Sequence, residues 1–163
     1  MRASVFVGEI LEILVESSVK RPGAGLTSLR RLAESVLRGE GRKNVEVAIL
    51  LVGRRAMKTL NERYTRRRGS TDVLSFEMAG QEFSGSVLGD VYVCVDEART
   101  QSKQLAEPLR DSVARLVIHG LLHLVGYDHT KGPVAARKME ARQEAYLDSW
   151  RSAGKQGGRV SVR

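Results

Sequence analysis

A chain of 163 residues, 42% apolar and 28% charged, fits one domain able to bury about 70% of the surface its unfolded form exposes. No window approaches the roughly 20 uninterrupted apolar residues of a membrane helix, and Glu9, Glu12 and Glu16 interrupt the N-terminal apolar stretch that a secretory signal would keep uncharged, so a cytoplasmic protein is expected. A formal charge of +8 and a pI near 10.1 favour a polyanionic partner, RNA first, because each cation set against a phosphate releases counterions; an Arg-rich composition also serves solubility and names no function by itself.

Val5, Val7, Leu11, Ile13 and Val15 fall on odd positions with Glu12 and Glu16 between them, the alternation of an amphipathic strand. After the RPGAG break, Leu29, Leu32, Ala33, Val36 and Leu37 recur at helical spacing from Leu26 to Arg38, with Thr27 or Ser28 available as a cap and Gly39 and Gly41 beyond the end. Val45, Val47 and Ile49 to Val52 form a β-branched run too short for a helix. Met57, Leu60 and Tyr64 then set a second helix from Arg54. STDVLSFEM and VLGDVYVCV read as two strands of an edge hairpin joined by AGQEFSGS, with the lone Cys94 a buried strand residue that permits no internal disulfide. Helices are expected at about 96–105, 108–125 and 134–150, Pro108 and Pro133 marking starts. Strands early and helices late point to α+β, a small mixed β-sheet packed with helices, as one domain over 1–150. The Gly-rich, acid-free segment 151–163 is expected to be a disordered basic tail.

All three histidines lie within HGLLHLVGYDH. His119 and His123 stand just over one helical turn apart, so both imidazoles leave one helix face and can bind one ion. Gly126 can adopt the left-handed conformation that reverses the chain and returns His129 to the same ion. Three neutral imidazoles suit Zn2+, one ion per chain, and leave a fourth position for water, the arrangement of a catalytic site. Taken singly, each histidine would be read as a locally hydrogen-bonded side chain; the three together, with the turn glycine between them, read as a metal site. The spacing resembles that of metzincin proteases, but Gly120 stands where their general-base Glu would be, and a hydrogen atom cannot take a proton from the metal-bound water. Peptidase activity is disfavoured.

The string HGLLHLVGYDH resembles the signature of the YbeY family of bacterial endoribonucleases and rRNA maturation factors; LNERYTRRRGSTDVLSF and LGDVYVC resemble two further family segments, and the matches span Leu60 to His129. The resemblance implies a zincin-like helix holding zinc on His119, His123 and His129, single-stranded RNA as substrate, and a role in small-subunit rRNA maturation and ribosome quality control, with the small ribosomal subunit and its proteins as partners. In the family a functional Arg follows the Tyr of the Asn-x-x-Tyr motif. Here Thr65 follows Tyr64, which makes Arg66 the first candidate for the catalytic Arg and Arg67 the second, while Ser70 and Glu77 occupy positions where Pro is expected.

Arg54, Arg55, Lys58, Arg63, Arg66, Arg67 and Arg68 face one acid, Glu62, along a single segment. Alone it would read as a solvated helix face; beside a hydrolytic metal it reads as an RNA-binding phosphate clamp, since charge developing on a phosphodiester needs fixed cations. Asp128, Asp72 and Asp90, the acids within the matching motifs, are candidates to hold the second nitrogen of a metal-bound His. Asn61 and Ser75 are weaker candidates, and Tyr127 is expected to pack. Water or a ribose 2′-OH would attack the phosphodiester in a basic cleft while Arg66 or Arg67 holds the non-bridging oxygens. The competing reading is a non-catalytic RNA-binding assembly factor whose metal only staples the fold.

Overall fold

The computed structural model describes residues 10–78 and 86–157. The expected strand start at Val5 and Val7, the connection across 79–85 and the end of the tail at 158–163 lie outside these. Strand β1 (Leu11–Ser17) half-buries its odd positions and exposes its even ones, as its alternation requires. It pairs in parallel with β2 (Val45–Val52), Leu11 opposite Val45 and Ser17 opposite Leu51. Between them runs α1 (Leu26–Gly39), which turns Leu29, Leu32, Ala33, Val36 and Leu37 into the core. Gly25, not Thr27 or Ser28, is its N-cap, with no side-chain capping bond; both hydroxyl residues lie inside the first turn.

After α2 (Arg54–Thr65) come β3 (Val73–Glu77) and β4 (Ser86–Cys94), which pair antiparallel. The sheet order is β1-β2-β4-β3. Of the two strands of the expected edge hairpin, only β3 lies at an edge of the sheet: β4 runs parallel to β2 on its other side, and its nearly continuous apolar run VYVCV is compatible with cover on both faces. A bulge shifts the β2–β4 register between Glu46 and Val47, and Cys94 closes β4 fully buried, its thiol pushed up by that burial.

Helices α3 (Val95–Gln104), α4 (Leu109–Leu124) and α5 (Pro133–Gly157) follow. α4 is the spine of the main core: Val113, Ala114, Val117, Ile118, Leu121 and Leu122 are fully buried against the sheet face made by Val47, Ile49, Leu51, Val91 and Val93. The α2 side of the sheet has a smaller core of Val52, Met57 and Cys94, edged by Leu50, Leu74 and Tyr92. α5 overruns the expected boundary at 150. Arg151 is fixed to Glu107 at 2.9 Å and to Asp111 at 3.5 Å, so the segment to Gly157 is helical where a disordered tail was expected.

Candidate metal centre

The site begins with the way α4 ends. Val125 caps the helix, Gly126 takes φ +108°, the Gly126 amide donates to the His123 carbonyl at 3.1 Å and the Tyr127 amide to the Leu122 carbonyl at 3.0 Å. This is a Schellman reversal, and φ there is one that side-chain-bearing residues rarely adopt. Asp128 then caps the single 3₁₀ turn His129–Lys131, its Oδ1 accepting from the Thr130 amide at 2.9 Å. The turn brings His129 within ring-centroid distances of 5.3 Å of His119 and 5.0 Å of His123.

One ligand nitrogen from each ring lies within 4.8 Å of the others. Nε2 of His119 and Nε2 of His123 are 3.2 Å apart. Two nitrogens on one tetrahedral zinc, each about 2.0–2.1 Å from the ion, would be separated by roughly 3.3 Å, so the His119–His123 pair already has the spacing of two ligands on such an ion, and the His129 nitrogen, within 4.8 Å, would close in to complete the set. Burial disfavours the charged form of His119 and of His123; His129 lowers both further, and His119 adds to the effect on His123. Neutral rings are what metal ligation requires.

Gln143 on α5, which no motif pointed to, holds the first ligand. Its Oε1 lies 2.9 Å from His119 Nδ1. An amide oxygen only accepts, so Nδ1 carries the proton and the lone pair sits on Nε2, facing the ion position. Another cluster unmarked in the sequence steadies the reversal: Tyr127 OH donates to Glu40 Oε2 at 3.0 Å, while Arg142 and Tyr146 donate to Glu40 Oε1 at 2.7 and 2.8 Å. Burial alone would raise the Glu40 carboxyl, but bonds from Tyr146, Arg142 and Tyr127 more than offset it and leave it low, while burial, followed by the bond to Glu40, pushes Tyr146 up to about 12. Tyr127 packs, as expected. Both sets of partners come from helices distant in sequence, α1 and α5.

The three histidines lie in a cleft of about 810 Å³ lined also by Arg67, Asp72, Ser75, Glu77, Asp128 and Lys131. The expected basic cleft is thus of mixed charge. Arg67 enters it. Arg66 does not: at φ 58° it is the left-handed C-cap of α2 and is not among the lining residues. Arg54, Arg55, Lys58, Arg63 and Arg68 also lie outside the cleft, exposed on α2 and its following loop, with Arg54 paired to Glu97 at 3.1 Å. Buried Asn61 organises that loop by donating from Nδ2 to the Gly69 carbonyl at 2.9 Å and accepting from Thr65 Oγ1 at 2.8 Å.

The three candidate carboxylates separate. Asp128 shapes the turn that carries His129; bonds from the Thr130 hydroxyl and amide hold its carboxyl low. Asp72 lines the cleft but accepts from the Val73 amide at 2.8 Å and Gln101 Nε2 at 2.9 Å, with no bond to a histidine. Asp90 is not brought to the site at all. Val91 beside it points at α4, so strand alternation sends Asp90 to the opposite sheet face.

Gly120 has a role beyond omitting a carboxylate. A Cβ there would run into Val91 Cγ1 and sit 3.2 Å from both Ser75 Oγ and Val73 Cγ2. A side chain at 120 would meet strands β3 and β4, so the missing hydrogen-for-Glu exchange is also a close-packing requirement. Ser75 Oγ donates to the Gly120 carbonyl at 3.0 Å, tying the ligand helix to the edge strand.

Fold and site together define an α+β domain in which a zincin-like helix and the turn after it carry three histidines that could hold a metal. The family model for "Endoribonuclease YbeY" matches residues 19–151. A relative named endoribonuclease YbeY from Aquifex aeolicus is 38% identical over 120 residues, 73% of this chain and 79% of the relative; one from Anaeromyxobacter is 38% identical over 137 residues, 84% of this chain and 70% of the relative. The solution structure of a Thermotoga maritima protein superimposes with a TM-score of 0.60 at 26% identity, over 94% of this chain and all of that one. The chain belongs to the endoribonuclease YbeY family.

Proposed function

We propose that this protein is a zinc-dependent endoribonuclease that cuts single-stranded RNA, acting in the cytoplasm on small-subunit rRNA during ribosome maturation and quality control, in association with the small subunit and its proteins. The observation that carries the reading is the convergence of three histidine nitrogens within 4.8 Å of one another in a cleft that also admits a guanidinium, Arg67. Relatives named as endoribonucleases support the RNA substrate.

When bound, the ion supplies Lewis acidity and an acidified water position. The remaining work falls to the chain. Gln143 fixes the His119 tautomer, and the Gly126 reversal with Asp128 aims His129. Arg67, which lines the cleft, would hold non-bridging phosphate oxygens in the bidentate fashion guanidinium allows, countering charge as it builds on phosphorus. Gly120 leaves no carboxylate at the protease general-base position, which separates this chemistry from peptide hydrolysis.

The test is cleavage of a labelled single-stranded RNA by protein stripped of metal, reloaded with zinc, and carrying His123→Ala. Cutting should vanish on chelation, return with zinc and be absent in the variant. Cutting that persists in His123→Ala would refute the reading, and RNA binding without cutting, with the fold melting on chelation, would favour the non-catalytic assembly factor.

A further inference from the structure

The sheet face opposite α4 carries a row of aromatic rings that the histidine site does not use. Tyr64, from the last turn of α2, meets Phe76 of β3 with centroids 5.2 Å apart, and Phe76 meets Tyr92 of β4 at 5.7 Å, both edge to face. Tyr64 is 57% exposed, Phe76 and Tyr92 are half-buried, and the Arg63 guanidinium lies 5.4 Å from the Tyr64 ring centroid. Phe76 and Tyr92 sit on neighbouring antiparallel strands as a diagonal pair offset by two residues, since Tyr92 is opposite Leu74 and Phe76 opposite Asp90. Aromatic side chains on adjacent strands of an open sheet are a recurrent way of stacking unpaired bases.

The charge around the row has a direction. Arg66, Arg67 and Arg68 follow Tyr64 in the chain, and Arg55, Arg66 and Arg68 make no ion pair among the described residues. Toward the first strands, Glu12 and Glu46 project outward and Asp90 stands beside Phe76, which repels phosphate from that side. Strand β3 is an edge of the sheet, at the opposite side from β1: Phe76 lies on its aromatic face, while Ser75, the residue before it, lines the histidine cleft on the other. Arg67, within the same basic run, also lines that cleft.

We propose that Tyr64, Phe76 and Tyr92 form a stacking platform for unpaired bases of a single-stranded RNA whose backbone crosses the edge of β3 along Arg66–Arg68 to reach the histidine cleft. The proposal rests on the ribonuclease reading and adds to it where substrate outside the scissile bond is held. It also gives the exposed cations of α2, which the cleft leaves out, a phosphate-facing role.

The test measures binding of a fluorescent single-stranded RNA of mixed sequence to the full chain in chelator, so that the RNA stays intact, together with an abasic oligomer of equal length and charge. Tyr64 is exposed, so Tyr64→Ala should fold as the parent does, which circular dichroism checks. Loss of one base–aromatic stack should weaken RNA binding roughly 5- to 150-fold, Tyr64→Phe should restore it, and the abasic oligomer should bind parent and Tyr64→Ala alike. Equal affinity of parent and Tyr64→Ala for the base-bearing RNA overturns the platform while leaving the ribonuclease reading intact. A parent protein that binds no single-stranded RNA overturns both.

Discussion

Replacing Gln143 by Leu isolates the contribution of the amide that orients the first ligand. The 2.9 Å contact between Oε1 and His119 Nδ1 is the described side-chain bond to that ring outside the histidine cluster itself. Without it the ring can rotate and the proton can sit on either nitrogen. Loss of such an outer partner typically costs 10- to 100-fold in metal affinity, or roughly 1.4–2.7 kcal/mol at 25 °C. Leu is close in size and Gln143 is only half-buried, so the metal-free fold should melt within a few degrees of the parent. The assay is competition for zinc against a chromophoric chelator at pH 7.5, with Gln143→Glu as a companion: a carboxylate accepts the same N–H and adds charge, so its affinity should equal or exceed the parent's. If Gln143→Leu binds zinc as tightly as the parent while His119→Ala does not, the tautomer argument is wrong.

Gly120→Ala should lower the thermal midpoint, because its Cβ would collide with Val91 and crowd Ser75 and Val73; overpacking of this kind costs about 1–3 kcal/mol, and a denaturation curve matching the parent's would contradict the close approach. Arg67→Ala should cut kcat/KM for RNA at least tenfold, the scale expected for a charge-assisted bond worth about 1.5–3 kcal/mol, and more than Arg66→Ala does; the reverse ranking would return the clamp to Arg66. The pH dependence has a defined sign. His119 and His123 titrate below their ordinary 6.5 in the folded chain, so as pH falls below the unfolded value the unfolded state takes up protons the folded state refuses. Metal-free stability should be flat above that pH and fall as acidity approaches the folded values. Glu40 and Glu107, whose carboxyls are held below 4.5, lose their contribution only in still more acid solution. Urea midpoints equal at pH 7.5 and pH 5.5 would contradict the burial of neutral rings.

The histidine site was legible because its determinants are local. His119, His123, Gly126 and His129 lie within one short string, and helix spacing plus a glycine reversal suffices to bring them together. What supports the site was not legible. Gln143 is separated from His119 by 24 residues and Glu40 from Tyr127 by 87, and only the packing of α1 and α5 around α4 brings these partners together. Asp90 misled because one residue of strand parity decides which sheet face a side chain takes. Which of the two candidate arginines lines the cleft was likewise not legible: Arg66 takes the left-handed turn at the end of α2, and Arg67 is the one in the lining. The alternation of β1 and the apolar stripe of α1 carried over almost residue for residue. The interior position of β4 depended on pairing with β2, a long-range parallel match that local pattern does not encode.

Metal stoichiometry bears on the account most directly. Protein purified without a metal-binding tag, dialysed against zinc and then against metal-free buffer, should retain one zinc per chain by elemental analysis, and His123→Ala should retain essentially none. A parent that retains no metal, or a His123→Ala variant that retains as much as the parent, would contradict the three-histidine centre on which the proposed chemistry depends.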